Sequence, residues 1–208
     1  MFANREEAAQ QLAHVLAPHR ADHPLVLAIP RGAVPMARTI AEALAGELDV
    51  VLVHKLGAPG QPEYAIGAVD ESGHVDLRES GIDPEYVHLE AERQLAMLRD
   101  RRVRYSAELP PTDPRGRTVI IVDDGVATGA TLLAALRAIR TREPARLVAA
   151  TAVAPPDTVE ELEAEADEVV VLDTPGNFTA VGAFFRRFPQ VTDDEVVEHL
   201  RAHREHGS

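Results

Sequence analysis

The chain has 208 residues, a formal net charge of -13, 45% hydrophobic and 26% charged residues, and no cysteine. That length suits one domain around one core, and the acidic balance argues against non-specific binding to nucleic acid or an anionic membrane, both of which need a positive surface. The lack of cysteine removes disulfide and thiolate chemistry, while the absence of a basic start before an apolar core and of any membrane-length apolar run leads us to expect no signal peptide, no membrane span and a cytoplasmic location.

Asn4 with Glu7 three residues on forms a capping pair that opens a helix to about residue 19. His14, His19 and His23 share no fixed face with an acidic partner and read as solvated surface rather than metal ligands. Residues 25–29 form the first buried strand, followed by Pro30-Arg31-Gly32-Ala33 and a helix carrying Val34, Met36, Ala37, Ile40 and Leu44. Its glycine turn is either an anion pocket or a plain strand-to-helix connection. Residues 50–54 read as the next strand, leading into 55–63. There, two glycines and two prolines between 57 and 63 predict an irregular loop of the kind that acts as a lid. Residues 65–69 and 74–77 flank a hairpin turn at Asp70-Glu71-Ser72-Gly73. A helical stretch then runs from 84 to about 105. Arg99, Arg101, Arg102 and Arg104 on it read as a solvated face, diluted by Glu90, Glu92 and Asp100.

The connector 110–116 feeds the most informative stretch. Val119-Ile120-Ile121-Val122 is a β-branched run suited to a strand buried on both faces, and it ends in Asp123 and Asp124. Gly125 and Gly129 permit a tight loop, and Leu132, Leu133, Leu136 and Ile139 mark the buried face of the helix that follows. The first turn of such a helix has unpaired N–H donors that favour an anion, and Thr128 and Thr131 add hydroxyls. Two carboxylates would repel a phosphate, so they suit hydroxyl groups or Mg²⁺ just upstream of it. A sugar phosphate satisfies both halves; an ordinary Asp-Asp-Gly turn before a helix is the competing reading. No Gly-x4-Gly-Lys-Ser/Thr or Gly-x-Gly-x-x-Gly occurs, which removes nucleoside triphosphatase and dinucleotide-binding readings.

Beyond it, residues 147–153 and 168–172 read as strands around an acidic helix at 157–166. The alternation implies an α/β domain: a mainly parallel central sheet with helices on both faces and ligands at the carboxyl ends of the strands. Four of the five phenylalanines, Phe178, Phe184, Phe185 and Phe188, cluster in the tail. Residues of about 174–190 could cover a flat acceptor, with Phe178 the candidate for stacking and the other three suited to core packing. Thr192 and Glu195 form a capping box for a last helix, where His199, His203 and His206 read as a solvated end.

The run from Val119 to Thr131 resembles the signature of the type I phosphoribosyltransferases, a hydrophobic run, two acidic residues, three variable positions and Thr-Gly-x-Thr, and matches it at every position. The resemblance implies a whole-chain domain that transfers ribose 5-phosphate from phosphoribosyl pyrophosphate (PRPP) to a small acceptor and releases pyrophosphate. It implies that Asp123 and Asp124 hold the ribose hydroxyls and that Gly125, Val126, Ala127, Thr128, Gly129, Ala130 and Thr131 complete the PRPP loop, with 127–131 around the 5′-phosphate. Pyrophosphate would lie at Arg31, Gly32 and Lys55, and Mg²⁺ would arrive with the ligand beside Asp123 and Asp124. The catalytic set is then Asp123, Asp124, Lys55 and Arg31. Members that use 6-oxopurines carry an Asp at the position of Ala127, so such acceptors are disfavoured. The helical stretch is longer than the resemblance implies at that point, so about 78–110 is expected to be an insertion that packs against the lid or a second subunit. A homodimer is expected, and no nucleic acid or membrane partner. A PRPP-sensing regulator without catalysis and a hydrolase of ribose 5-phosphate derivatives are the alternatives.

Overall fold

In a computed structural model of the protein, residues 1–78, 81–106 and 111–206 are described. The core is a five-stranded parallel sheet. Its strands are β1 (Leu25–Ala28) and β2 (Glu47–Val50), with β3 (Val53–Ala58), β4 (Gln61–Asp70) and β5 (Val75–Leu77) forming a separate antiparallel sheet before β6 (Thr118–Asp123), β7 (Arg146–Val153) and β8 (Glu168–Asp173) return to it. The large sheet runs β2-β1-β6-β7-β8, the small one β3-β4-β5. Helices α1 (Arg5–Val15) and α2 (Val34–Leu44) cover one face, and α4 (Ala130–Arg140) and α5 (Pro156–Glu163) the other; α3 (Pro84–Ser106) and α6 (Asp193–His206) lie outside this sandwich.

The side chains explain the layering. Val26, Ala28, Ile120 and Val122 face one hydrophobic cluster, while Leu25, Leu27, Val119 and Ile121 face the other, as the two-residue period of a strand requires. Burying each of Leu132, Leu133, Leu136 and Ile139 of α4 contributes roughly 1.5–3 kcal/mol. The parallel register pairs Leu25 with Val119 and Ala28 with Val122, so the loops after β1 and β6 emerge side by side.

Three sequence expectations are corrected. Residues 50–54 are not one strand: β2 ends at Val50, and Val51 and Leu52 enter opposite hydrophobic clusters as the chain changes sheets. An unbroken apolar run concealed that switch. Nor is 57–63 irregular. β3 and β4 form a hairpin with Ala58 paired to Gln61 around a Pro59-Gly60 turn, where Gly60 has φ 73°, and the departures from regularity are register shifts at Leu56, Gly57 and Ala58. Lys55 therefore lies inside β3, paired with Ala68, rather than directly after a core strand.

The arginines of α3 are not a uniformly solvated face either. α3 packs on β3, β4 and α6, and the Tyr86 hydroxyl donates to the Gly57 carbonyl at 2.8 Å. Arg102 is buried: it donates to Glu71 Oε2 at 2.6 Å and Oε1 at 2.5 Å, to Asp49 Oδ1 at 2.8 Å and to the Val50 carbonyl at 2.7 Å. The other carboxylate oxygen of Asp49 accepts the Thr112 N–H at 2.9 Å. One guanidinium thus ties the edge of the main sheet to the turn of the small one, and a planar fork with five donors suits that task. The outer parts of the expected insertion, residues 79–80 and 107–110, lie outside the described residues.

Thr192 and Glu195 cap α6 reciprocally, as expected. Two of its histidines differ from the expectation, while the side chain of His206 lies outside the described residues. His199 and His203 are half-buried, and burial lowers the pKa of both because the charged form loses hydration. A face that looked solvated packs in part, since α6 lies on α2 and β2.

Candidate active site

Strand β6 ends at Asp123, and the chain turns at once into the loop that starts α4. The loop is fixed from below: the Val126 N–H donates to the Val153 carbonyl at 2.8 Å, and the Thr158 hydroxyl donates to the Ala127 carbonyl at 2.9 Å. Gly129 is the N-cap residue of α4, with φ 73°, a left-handed conformation that favours glycine. A Cβ there would also lie 3.0 Å from Thr158 Cγ2. Among the described residues no side chain caps α4, so its leading N–H groups point into a loop whose Thr128 and Thr131 are exposed. An uncapped helix start beside hydroxyls is an anion cradle.

The two carboxylates occupy different electrostatic settings. Asp123 Oδ1 accepts the Asp124 N–H at 2.9 Å, yet burial and then the Asp124 charge push its pKa up to about 8. Burial also raises Asp124, but Arg5 opposes the shift. Arg5 Nε and Nη2 approach Asp124 Oδ2 at 2.8 Å and 2.7 Å, and the guanidinium lies 3.7 Å from the centroid of the Phe188 ring. Sequence reasoning missed both Arg5 and the role of Phe188. Arg5 opens a capped helix as many surface arginines do, and nothing local marks it.

Among the expected pyrophosphate residues, Gly32 is brought against the acidic pair. A Cβ at that position would fall 2.1 Å from Asp124 Oδ2, so the backbone approach depends on glycine. The Pro30–Arg31 peptide is cis, and the Val34 N–H donates to the Arg31 carbonyl at 3.1 Å. Arg31 itself is exposed; its Nη1 lies 3.7 Å from Asp193 Oδ2, at the start of α6. Lys55 is half-buried in the hairpin. Gly32, Asp123, Asp124 and the 125–131 loop thus form one locus, with Arg31 turned toward α6 and Lys55 on a neighbouring element.

The tail reaches this locus as well. A Cβ on Gly125 would meet Val181 Cγ1 at 2.2 Å, which places the cover segment directly on the loop. Phe178 stacks on Phe184 with centroids 5.3 Å apart, so one face of the expected acceptor residue is used inside the protein. Phe185 stacks on Phe188 at 4.7 Å and touches Phe2 at 5.4 Å.

A family model described as phosphoribosyl transferase domain matches residues 2–184. Two curated proteins from Mycobacterium tuberculosis, "Putative phosphoribosyl transferase Rv0571c" of strain H37Rv and "Putative phosphoribosyl transferase MT0597" of strain CDC 1551, are each 41% identical over 213 residues. The alignments cover 99% of this chain and 48% of each relative, so the chain spans about half the length of the curated relatives it matches. The crystal structure of TT1426 from Thermus thermophilus is similar at 47% identity and a TM-score of 0.87, covering 96% of this chain and 97% of that one. The match across nearly the whole chain, together with the acidic pair and the loop it precedes, shows that the protein belongs to the phosphoribosyl transferase domain family.

Proposed function

We propose that the protein transfers ribose 5-phosphate from PRPP to a nitrogen of a small acceptor, with Mg²⁺, and releases pyrophosphate. In that reaction the C1–O bond of PRPP breaks, its electron pair leaves with pyrophosphate, an acceptor nitrogen bonds to C1 and the acceptor loses a proton. The observation that carries this reading is that one turn after β6 holds two carboxylates and an uncapped helix start. The helix start suits the 5′-phosphate, and Asp123 suits the ribose hydroxyls. Positive charge developing at C1 favours the ionised form of Asp123, whose proton burial otherwise retains.

The residues present fit a metal that arrives with its ligand. Among the described residues no group of three or more His, Asp or Glu side chains is arranged to hold a cation alone. Mg²⁺ keeps several waters and binds through one or two carboxylates plus substrate phosphates. Asp123 fits that part, since Asp124 is engaged by Arg5. The ion would neutralise the leaving pyrophosphate, with Gly32 giving close backbone approach and Arg31 and Lys55 adding charge. Ala127 offers a methyl group at an exposed position and no proton acceptor, which argues against hypoxanthine, guanine and xanthine.

The test combines calorimetry of PRPP with Mg²⁺ and measurement of pyrophosphate release with a panel of nitrogenous acceptors. We expect acceptor-dependent release, and binding that is lost in the Asp123→Asn, Asp124→Asn double variant. Binding without release by any acceptor would favour a PRPP sensor, and release with water alone a hydrolase. Unchanged affinity in the double variant would remove the assignment of the site.

A further inference from the structure

Arg5 makes contacts that neither of its neighbours in sequence can explain. Its side chain is 11% exposed and that of Asp124 15%, so this is a largely desolvated ion pair. Nε and Nη2 both address Asp124 Oδ2, while Nη1 donates to the Pro189 carbonyl at 2.6 Å. The face of the guanidinium rests on Phe188. A Cβ built on Gly32 would lie 3.1 Å from Arg5 Nη2, which puts the guanidinium against the 30–33 loop as well. One side chain thereby touches the acidic pair, the loop after β1 and the C-terminal cover.

The backbone around Arg5 is tied to the same cover. The Phe2 N–H donates to the Phe184 carbonyl at 2.8 Å, Arg186 N–H to the Phe2 carbonyl at 2.9 Å, and Arg187 N–H to the Ala3 carbonyl at 3.1 Å. Residues 2–3 and 184–187 thus form one strap. In these contacts the charged link from the strap to the acidic pair is the Arg5 guanidinium, whose planar fork can bond a carboxylate along one edge while stacking its face on a ring.

We propose that Arg5 is a positioning residue of the transfer site, a strut through which occupation of the carboxylate and phosphate loop fixes the C-terminal cover on the acceptor side. The proposal rests on the PRPP reading given above. In it the acidic pair divides its work: Asp123 meets the ligand, and Asp124 acts through Arg5 on Phe188 and Pro189. Acceptor and PRPP halves are then coupled mechanically, because the cover sits correctly only when Asp124 does.

Amide hydrogen exchange with PRPP and Mg²⁺ tests this directly. In the wild type, PRPP should protect residues 125–131 and also residues 184–188. In Arg5→Gln it should protect 125–131 and fail to protect 184–188, and Arg5→Lys, which keeps the charge with fewer donors, should restore part of the tail protection. Equal protection of the tail in Arg5→Gln and wild type would overturn the proposal. Without ligand, Arg5→Gln and Asp124→Asn should each speed exchange at 184–188 by about tenfold or more, and unchanged exchange in both would also overturn it. Should PRPP protect nothing in the wild type, the PRPP reading fails, whereas the ligand-free comparison still decides whether Arg5 ties the cover to Asp124. Thermal melting of each variant separates loss of the strut from loss of the fold.

Discussion

Gly125 and Val181 stand so close that an alanine Cβ at Gly125 would fall 2.2 Å from Val181 Cγ1 and 3.1 Å from Val153 Cγ1. The cover segment thus meets the loop at a point where only a hydrogen fits. Gly125→Ala should cost about 1–3 kcal/mol through overpacking, read as a lower melting temperature, and on the PRPP reading should also weaken binding of PRPP. Adding Val181→Ala should recover most of the stability. A Gly125→Ala protein as stable as wild type would mean that the cover is free to move aside.

Asp123 carries a pH signature. Its folded pKa, about 8, lies above the ordinary 3.8, so the fold holds the proton more tightly than the unfolded chain does. Its contribution to stability is present in full below about pH 3.8 and is lost as pH rises through about 8. Asp123→Asn should therefore stabilise the ligand-free protein more at pH 9 than at pH 5, by an amount on the order of a few kcal/mol at the alkaline end. Denaturant unfolding at both values checks it; a gain that does not grow with pH would show that the ionised carboxylate is well accommodated.

His199 and His203 act in the opposite direction. Burial lowers their pKa values, so their contribution is present above about pH 6.5 and is lost as pH falls through the lowered folded values. Unfolding free energy should fall between neutral pH and about pH 5, and that fall should be smaller in the His199→Gln, His203→Gln double variant. The same slope in both proteins would place the acid sensitivity elsewhere.

Arg102 should be far more sensitive than its neighbours on α3. Arg102→Met leaves Asp49 and Glu71 without their shared cation and should destabilise by roughly 3–5 kcal/mol. By contrast, Arg99→Met and Arg101→Met should stay within about 0.5 kcal/mol. Equal effects at all three positions would show that the buried network adds nothing to the fold.

Lys55 is the chain's one lysine. An ammonium on a flexible stem can follow a phosphate as charge builds, whereas a guanidinium needs a planar partner. On the pyrophosphate reading, Lys55→Arg should lower turnover by at least about tenfold, roughly 1.4 kcal/mol, with the fold intact. Near-normal turnover would confine Lys55 to the hairpin's structure.

What the sequence made legible was local. The β-branched run into Asp123 and Asp124, the glycines of the loop and the amphipathic α4 are all adjacent in the chain, and each obeys a short-range rule. Gly32 also gave a local cue, a glycine turn between strand and helix. The unread features join distant positions. Arg5 meets Asp124, and Arg102 meets Glu71 and Asp49, through charge pairs that leave no periodic trace. The switch from β2 to β3 was hidden for another reason: Val51 and Leu52 are apolar whichever sheet they serve.

Arg5 and Pro189 are 184 positions apart. Closing so long a loop is slow compared with forming adjacent contacts, and a chain emerging from a ribosome presents Arg5 first and Pro189 long afterwards. All five strands of the parallel sheet are complete by Asp173, so a nascent chain can hold its central architecture while Arg5 still lacks Phe188 and Pro189. Closure of the strap over the acidic pair is thereby deferred until the architecture around it already exists.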